Sequence, residues 1–279
     1  MLNEPRTYRQ SPFQIGLVIL VFVILGGFFL TTMGRTDYFI LFPLIGIFGI
    51  AFLAVLYSMT KKTVLSDDEI FTQTILGAKS LRWSEISRVS GRGYAIKLHN
   101  FDGDVTVAPN PQLPGYEEVV DWIGIKRPDL FNPLEYGEMT KGWAGMMSLP
   151  VIGLLVIGMG FFILTQANDT FVPFVILIII GVVVVGSIFT TPQSLMIDGN
   201  SLLIKYLLNP KTLLANEIQS VELKHQSTRN GKVYFILLNL ISKKSVRISG
   251  INPNLPVVYL VLKNWHKKNA TIGLTNQPN

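Results

Sequence analysis

The chain has 279 residues, no cysteine and a formal net charge of +6. The missing cysteine excludes disulfides, thiolate metal sites and a cysteine nucleophile. A positive mean hydropathy, with 49% apolar and only 15% charged residues, argues against an ordinary soluble protein.

The first twelve residues read as a polar tail carrying Arg6 and Arg9. Residues 13–34 and 38–60 then contain no Asp, Glu, Lys, Arg or His. Each has the roughly 20 residues that a helix needs to cross a hydrocarbon core of about 30 Å. The pair (13–60) is expected to be a transmembrane hairpin, joined by a tight loop around Arg35-Thr36-Asp37. Its first member exceeds the apolar core of a secretory signal and lacks a convincing cleavage site, so it reads as an uncleaved anchor.

Residues 61–132 change character. Short alternating runs at 62–65, 69–75, 79–83, 85–90, 94–99 and 105–108 read as strands, with Asp102-Gly103-Asp104 as one of the turns. Tyr116, Val119, Val120 and Ile123 follow at i, i+3, i+4 and i+7, the spacing of one apolar helical face. A linker at 133–141 leads to two more uncharged stretches, 142–168 and 170–197, read as a second transmembrane hairpin over 142–192 with its loop at Asn168-Asp169-Thr170. Residues 193–268 repeat the β pattern through 194–197, 201–207, 211–215, 217–225, 232–240 and 244–249. Asp198-Gly199-Asn200 and Asn230-Gly231 mark the turns. Val258, Val261, Leu262 and Trp265 repeat the helical spacing, and 269–279 is a polar tail.

The chain is thus written twice. Residues 70–89 align without a gap on 202–221, with identities at Leu76/Leu208, Lys79/Lys211, Leu81/Leu213, Glu85/Glu217, Ile86/Ile218 and Val89/Val221. The charge does not repeat. Residues 60–141 carry 10 Lys/Arg against 12 Asp/Glu, whereas 191–279 carry 11 against 3. Lys and Arg flank the apolar stretches at the N-terminal tail and at Lys61-Lys62. The positive-inside rule therefore predicts a multi-pass inner-membrane protein with both termini and both polar domains in the cytoplasm.

The strand pattern, the Glu-Ile-x-x-Val segments at 85–89 and 217–221, and the closing helices resemble the bacterial pleckstrin-homology domain family. The resemblance covers about 62–126 and 194–268, together with the preceding hairpins. It implies an α+β membrane protein: four transmembrane helices plus two small antiparallel β-barrel or sandwich domains, each closed by a C-terminal helix. It also implies a binding scaffold without a shared catalytic centre.

No catalytic constellation stands out. His99, His225 and His266 lack the spacing of a zinc site, and Gly91-Arg92-Gly93 is too short for a phosphate loop. Asp102-Gly103-Asp104 and Asp67-Asp68-Glu69 read as turns, and the repeated Glu85 and Glu217 as architectural. No cofactor, metal or nucleic-acid partner is expected, and the chain is not expected to be an enzyme. The second domain carries a candidate basic interaction surface: Lys224, Arg229, Lys232, Lys243, Lys244 and Arg247. The expected function is that of a non-catalytic membrane scaffold presenting two domains to a protein partner or membrane complex. The alternative is anionic-lipid sensing at the bilayer surface by the basic domain. A transport or channel subunit ranks third, because the apolar stretches hold no titratable group.

Overall fold

The computed structural model describes residues 4–32, 38–166, 171–229 and 231–275. The two expected loops at 33–37 and 167–170, Asn230 of the Asn230-Gly231 turn, and the tail beyond 275 lie outside the described residues. In chain order the elements are β1 (Arg6–Arg9), α1 (Pro12–Thr32), α2 (Tyr38–Met59), β2 (Lys62–Leu65), β3 (Glu69–Thr74), β4 (Gly77–Arg82), β5 (Ile86–Ser90), β6 (Lys97–Asn100), β7 (Thr106–Val107) and α3 (Tyr116–Lys126). They continue as β8 (Glu138–Thr140), α4 (Trp143–Gln166), α5 (Phe171–Thr190), β9 (Ser194–Asp198), β10 (Ser201–Lys205), β11 (Lys211–Leu214), β12 (Ile218–Thr228), β13 (Gly231–Leu240), β14 (Ser245–Ile248) and α6 (Leu255–Thr275).

Helices occupy all four uncharged stretches, but among the described residues none is long and apolar enough to cross a membrane. This corrects the expectation of four transmembrane helices, and with it the membrane fold class and the multi-pass inner-membrane localisation. What the chain forms instead is an α+β arrangement with four antiparallel sheets.

Contacts divide the chain into two compact units, Met1–Val89 with Lys97–Trp122, and Ser90–Ile96 with Ile123–Asn279. In the first unit β1-β2-β3-β4 form one sheet and β5-β6-β7 another. β1 lies before the helical pair, yet it pairs antiparallel with β2 after that pair, Arg9 opposite Lys62 and Tyr8 opposite Thr63. Inward alternation along β2, β3 and β4 buries Leu65, Ile70 and Leu81 on one rung, and Leu98, Val107, Tyr116, Val119 and Val120 complete the core. The ring of Tyr8 passes close to Gly115, where a Cβ would meet its edge at 2.8 Å. Gly115 has φ +75°, so it meets both a steric and a conformational demand for glycine. Within the helical pair, Phe22 packs between Phe48 and Phe52 at centroid distances of 5.0 and 4.9 Å.

The second unit has the same plan: sheets β11-β10-β9-β8 and β12-β13-β14. β8, in the segment read as a linker, pairs with β9 across the second helical pair, Met139 opposite Leu195. Its core holds Leu202, Leu213, Ile236, Leu238, Val258, Val261 and Leu262, with Trp265 donating its indole N–H to the Gly199 carbonyl at 2.8 Å. Gly153 and Gly181 let α4 and α5 approach closely, since a Cβ on Gly181 would lie 2.4 Å from Ile157. Gly158, Gly46 and Gly49 have nothing within 4 Å of a Cβ. Asn254 caps α6, its Oδ1 accepting the Val257 N–H at 2.8 Å while its Nδ2 donates to the Ala95 carbonyl.

Candidate interaction surface

The candidate basic residues all sit on or beside the β12-β13-β14 sheet. Alternation sends Val221, Leu223, Tyr234, Ile236, Leu238, Val246 and Ile248 inward, where they are buried. The opposite face carries Glu222 and Lys224 from β12, Phe235 and Leu237 from β13, and Arg247 from β14. Register sets Lys224 against Phe235, Glu222 against Leu237, and Leu237 against Arg247.

The six residues do not form one patch. Lys224 and Arg247 share the outer face near its middle. Arg229 and Lys232 lie at the β12–β13 hairpin end, and Lys232 falls on the register side of Tyr234, not of Phe235. Lys243 and Lys244 lie in the β13–β14 turn at the other end, with Lys243 in the left-handed region at φ +61°. The eight steps from Lys232 to Leu240 separate the two ends by about 27 Å at roughly 3.3–3.4 Å per residue. Lys244 and Lys211 line an open groove of about 430 Å³ floored by Leu240 and Ile241.

Two local arrangements organise the middle of the face. The Arg247 guanidinium carbon lies over the Phe235 ring, 3.9 Å from its centroid, a cation–π contact on the outer face of the sheet. Beside it, Ser220 Oγ and Asn239 Nδ2 both donate to Glu222 Oε1 at 2.8 Å, and Lys224 Nζ reaches Glu222 Oε2 at 2.8 Å. The bond from Lys224, reinforced by Ser220, holds the Glu222 carboxyl below its usual range. Lys224 is thus ion-paired with Glu222, whereas Arg247 lies against an aromatic ring.

Sequence reasoning picked out the cations but missed Phe235, Leu237 and the Ser220–Glu222–Asn239 cluster. A signal was present. The run from Val233 to Leu240 is apolar at nearly every position, which is more than a strand with one solvated face requires.

The other motifs resolve into structure. Glu85 Oε2 accepts the Arg82 N–H and Glu217 Oε2 the Leu214 N–H, so the repeated glutamates hold the short 3₁₀ turns that link the two sheets of each unit. The Asp102-Gly103-Asp104 turn is closed by Asn100, whose Oδ1 accepts the Val105 N–H. Gly91 (φ +158°) has no room for a Cβ against the Ala95 carbonyl and Asn254. His99 contacts Thr106 at 3.1 Å, His225 stands against the Tyr234 ring, and His266 bonds the Ile218 carbonyl at 2.7 Å. Among the described residues no three His, Asp or Glu side chains gather as a metal site.

No protein-family model matches the chain, and no curated protein matches it.

Proposed function

We propose that the chain is a non-catalytic interaction protein. Its two pleckstrin-homology-like units act as binding scaffolds, and the outer face of β12-β13-β14 is the surface that meets a protein partner. The observation that carries this reading is the Arg247–Phe235 stack, flanked by half-buried Leu237 and by the Glu222 cluster. Aromatic and arginine side chains held rigid on a sheet are the residue types that dominate binding energy at protein interfaces. The surplus of eight positive charges over residues 191–279 selects a partner whose facing surface is acidic.

The test is affinity purification of the full chain beside its Phe235→Ala and Arg247→Glu variants. A stoichiometric protein recovered with the native chain and lost from both variants supports the reading. Recovery unaffected by either substitution overturns it. Flotation with vesicles of graded anionic-lipid content, run on the native chain and on a Lys243→Gln/Lys244→Gln/Arg247→Gln variant, tests the lipid alternative. Binding that scales with anionic lipid and vanishes in the variant would replace the protein-partner reading.

A further inference from the structure

The two units place different chemistry on one equivalent rung of their four-stranded sheets. In the second unit the rung is Met139, Leu195, Ile204 and Lys211, paired in that order across β8, β9, β10 and β11. Leu195 and Ile204 are fully buried, as a sheet interior requires. In the first unit the same rung is Tyr8, Thr63, Thr72 and Lys79 across β1, β2, β3 and β4. The next rung is apolar in both units, Leu65-Ile70-Leu81 in one and Ile197-Leu202-Leu213 in the other. The change to hydroxyls is therefore confined to one rung.

That rung is not internally satisfied. Thr63 is 1% exposed, and among the described residues neither its Oγ1 nor the Tyr8 hydroxyl has a hydrogen-bond partner. Buried hydroxyls are ordinarily paired, so an orphaned pair where the sister unit uses methionine and leucine calls for a role. The outer half of the rung, Thr72 and Lys79, lines a groove of about 420 Å³ together with Lys61, Tyr57, Thr74, Leu76, Ala78 and Thr106. Lys61 Nζ is held over the Tyr57 ring at 4.9 Å, which positions a second ammonium at the groove. The lining contains two ammonium groups, the Thr72 hydroxyl and no carboxylate, while the Thr74 hydroxyl donates to the Gly77 carbonyl and that of Thr106 contacts His99. Ammonium groups only donate, and hydroxyls can turn to donate, so the groove suits an acceptor-rich anion.

We propose that this groove, with the Tyr8–Thr63–Thr72–Lys79 rung behind it, is a binding site for a phosphoryl group. Lys61 and Lys79 supply charge-assisted hydrogen bonds to its oxygens, and the Thr72 hydroxyl supplies a neutral one. The site belongs to the first unit alone, because Ile204 stands where Thr72 lines the groove. It is distinct from the β12-β13-β14 face and stands whether or not that face binds a protein.

The test uses the full chain and two probes, inorganic phosphate followed by thermal shift and calorimetry, and vesicles of phosphatidylcholine with or without phosphatidate followed by flotation. The variant Thr63→Leu/Thr72→Ile copies the second unit's rung and, carrying no orphaned Thr63 hydroxyl, should unfold no earlier than the native chain without ligand. Lys61→Gln/Lys79→Gln removes the ammoniums from the exposed side without touching the core. The expected result is a phosphate-dependent rise in melting temperature of the native chain, with binding weakened at least about tenfold in both variants, as expected for losing one hydrogen bond to a charged group. A response to phosphate alone assigns free phosphoryl compounds. Phosphatidate-dependent flotation lost in the same variants assigns a lipid headgroup. The proposal is overturned if the native chain responds to neither probe, or if both variants respond as the native chain does.

Discussion

Thr63 stands in a position that its sister residue Leu195 fills with hydrocarbon. A buried hydroxyl left unpaired costs about 1–3 kcal/mol. Thr63→Val, which keeps the shape and removes the hydroxyl, is therefore expected to raise the urea midpoint in phosphate-free buffer; an unchanged or lower midpoint would show that the hydroxyl is satisfied. His99 gives a second expectation. Desolvation, together with the positive charges of Arg88 and Lys97, holds its imidazole below the ordinary value. The folded state thus disfavours the protonated ring, and the unfolded chain takes up the proton first as pH falls. Stability should decline as pH drops through the unfolded-state value of about 6.5. Urea titrations at pH 7.5 and pH 5.5 (values chosen to bracket that point, ~1 unit either side) should show a smaller difference for His99→Gln than for the native chain. Glu85 and Glu217 were readable as architectural because both copies keep them; Thr63 was not, because a threonine in an alternating strand looks the same whether its face is wet or covered.

Among the elements, the strands following each helical pair were legible to within a few residues, since their alternation matches the pleat. β1 and β8 were not. They are four and three residues long, and each pairs with a strand on the far side of a helical pair. So short a segment carries no periodicity, and its partner lies beyond the reach of local pattern. The candidate surface dispersed for a related reason: sequence proximity of cations says nothing about which side of the sheet register assigns them to. β1 nonetheless matters to its unit, because Tyr8 packs on Gly115 just before α3. Gly115→Ala forces a Cβ into the Tyr8 ring and strains a positive φ, so a loss of about 1–3 kcal/mol is expected in denaturant unfolding. Tyr8→Ala in the same background should recover part of that loss by making room; strict additivity of the two losses would argue against the contact as its source.

At the scale of the molecule, duplication with divergent charge gives one scaffold two surfaces, a hydroxyl-and-lysine groove in the first unit and a cation–aromatic sheet face in the second. Their responses to salt should differ. Partner capture through Arg247 on the exposed face should weaken as ionic strength rises, because charges in water are screened over about 8–10 Å at 0.1–0.15 M. Phenylalanine contacts are insensitive to that screening, so Phe235→Ala should lower capture at every salt concentration, while Arg247→Gln should flatten its salt dependence. Equal salt slopes for the native chain and Arg247→Gln would remove Arg247 from the interface.

The pairing of Arg9 with Lys62 has a further consequence. Two residues opposite each other in an antiparallel ladder have Cα atoms only about 4.5–5.5 Å apart, so the whole α1–α2 excursion leaves and re-enters the sheet at one doorway. Topologically it is an ornament on a β-hairpin, and a two-residue Asn-Gly turn spans the same gap. Excising residues 10–61 in favour of Asn-Gly should leave a cooperatively folding β-sheet unit, read as a single sharp thermal transition by circular dichroism. Loss of that transition would mean that the helices are scaffolding for the sheet and not cargo hung from it.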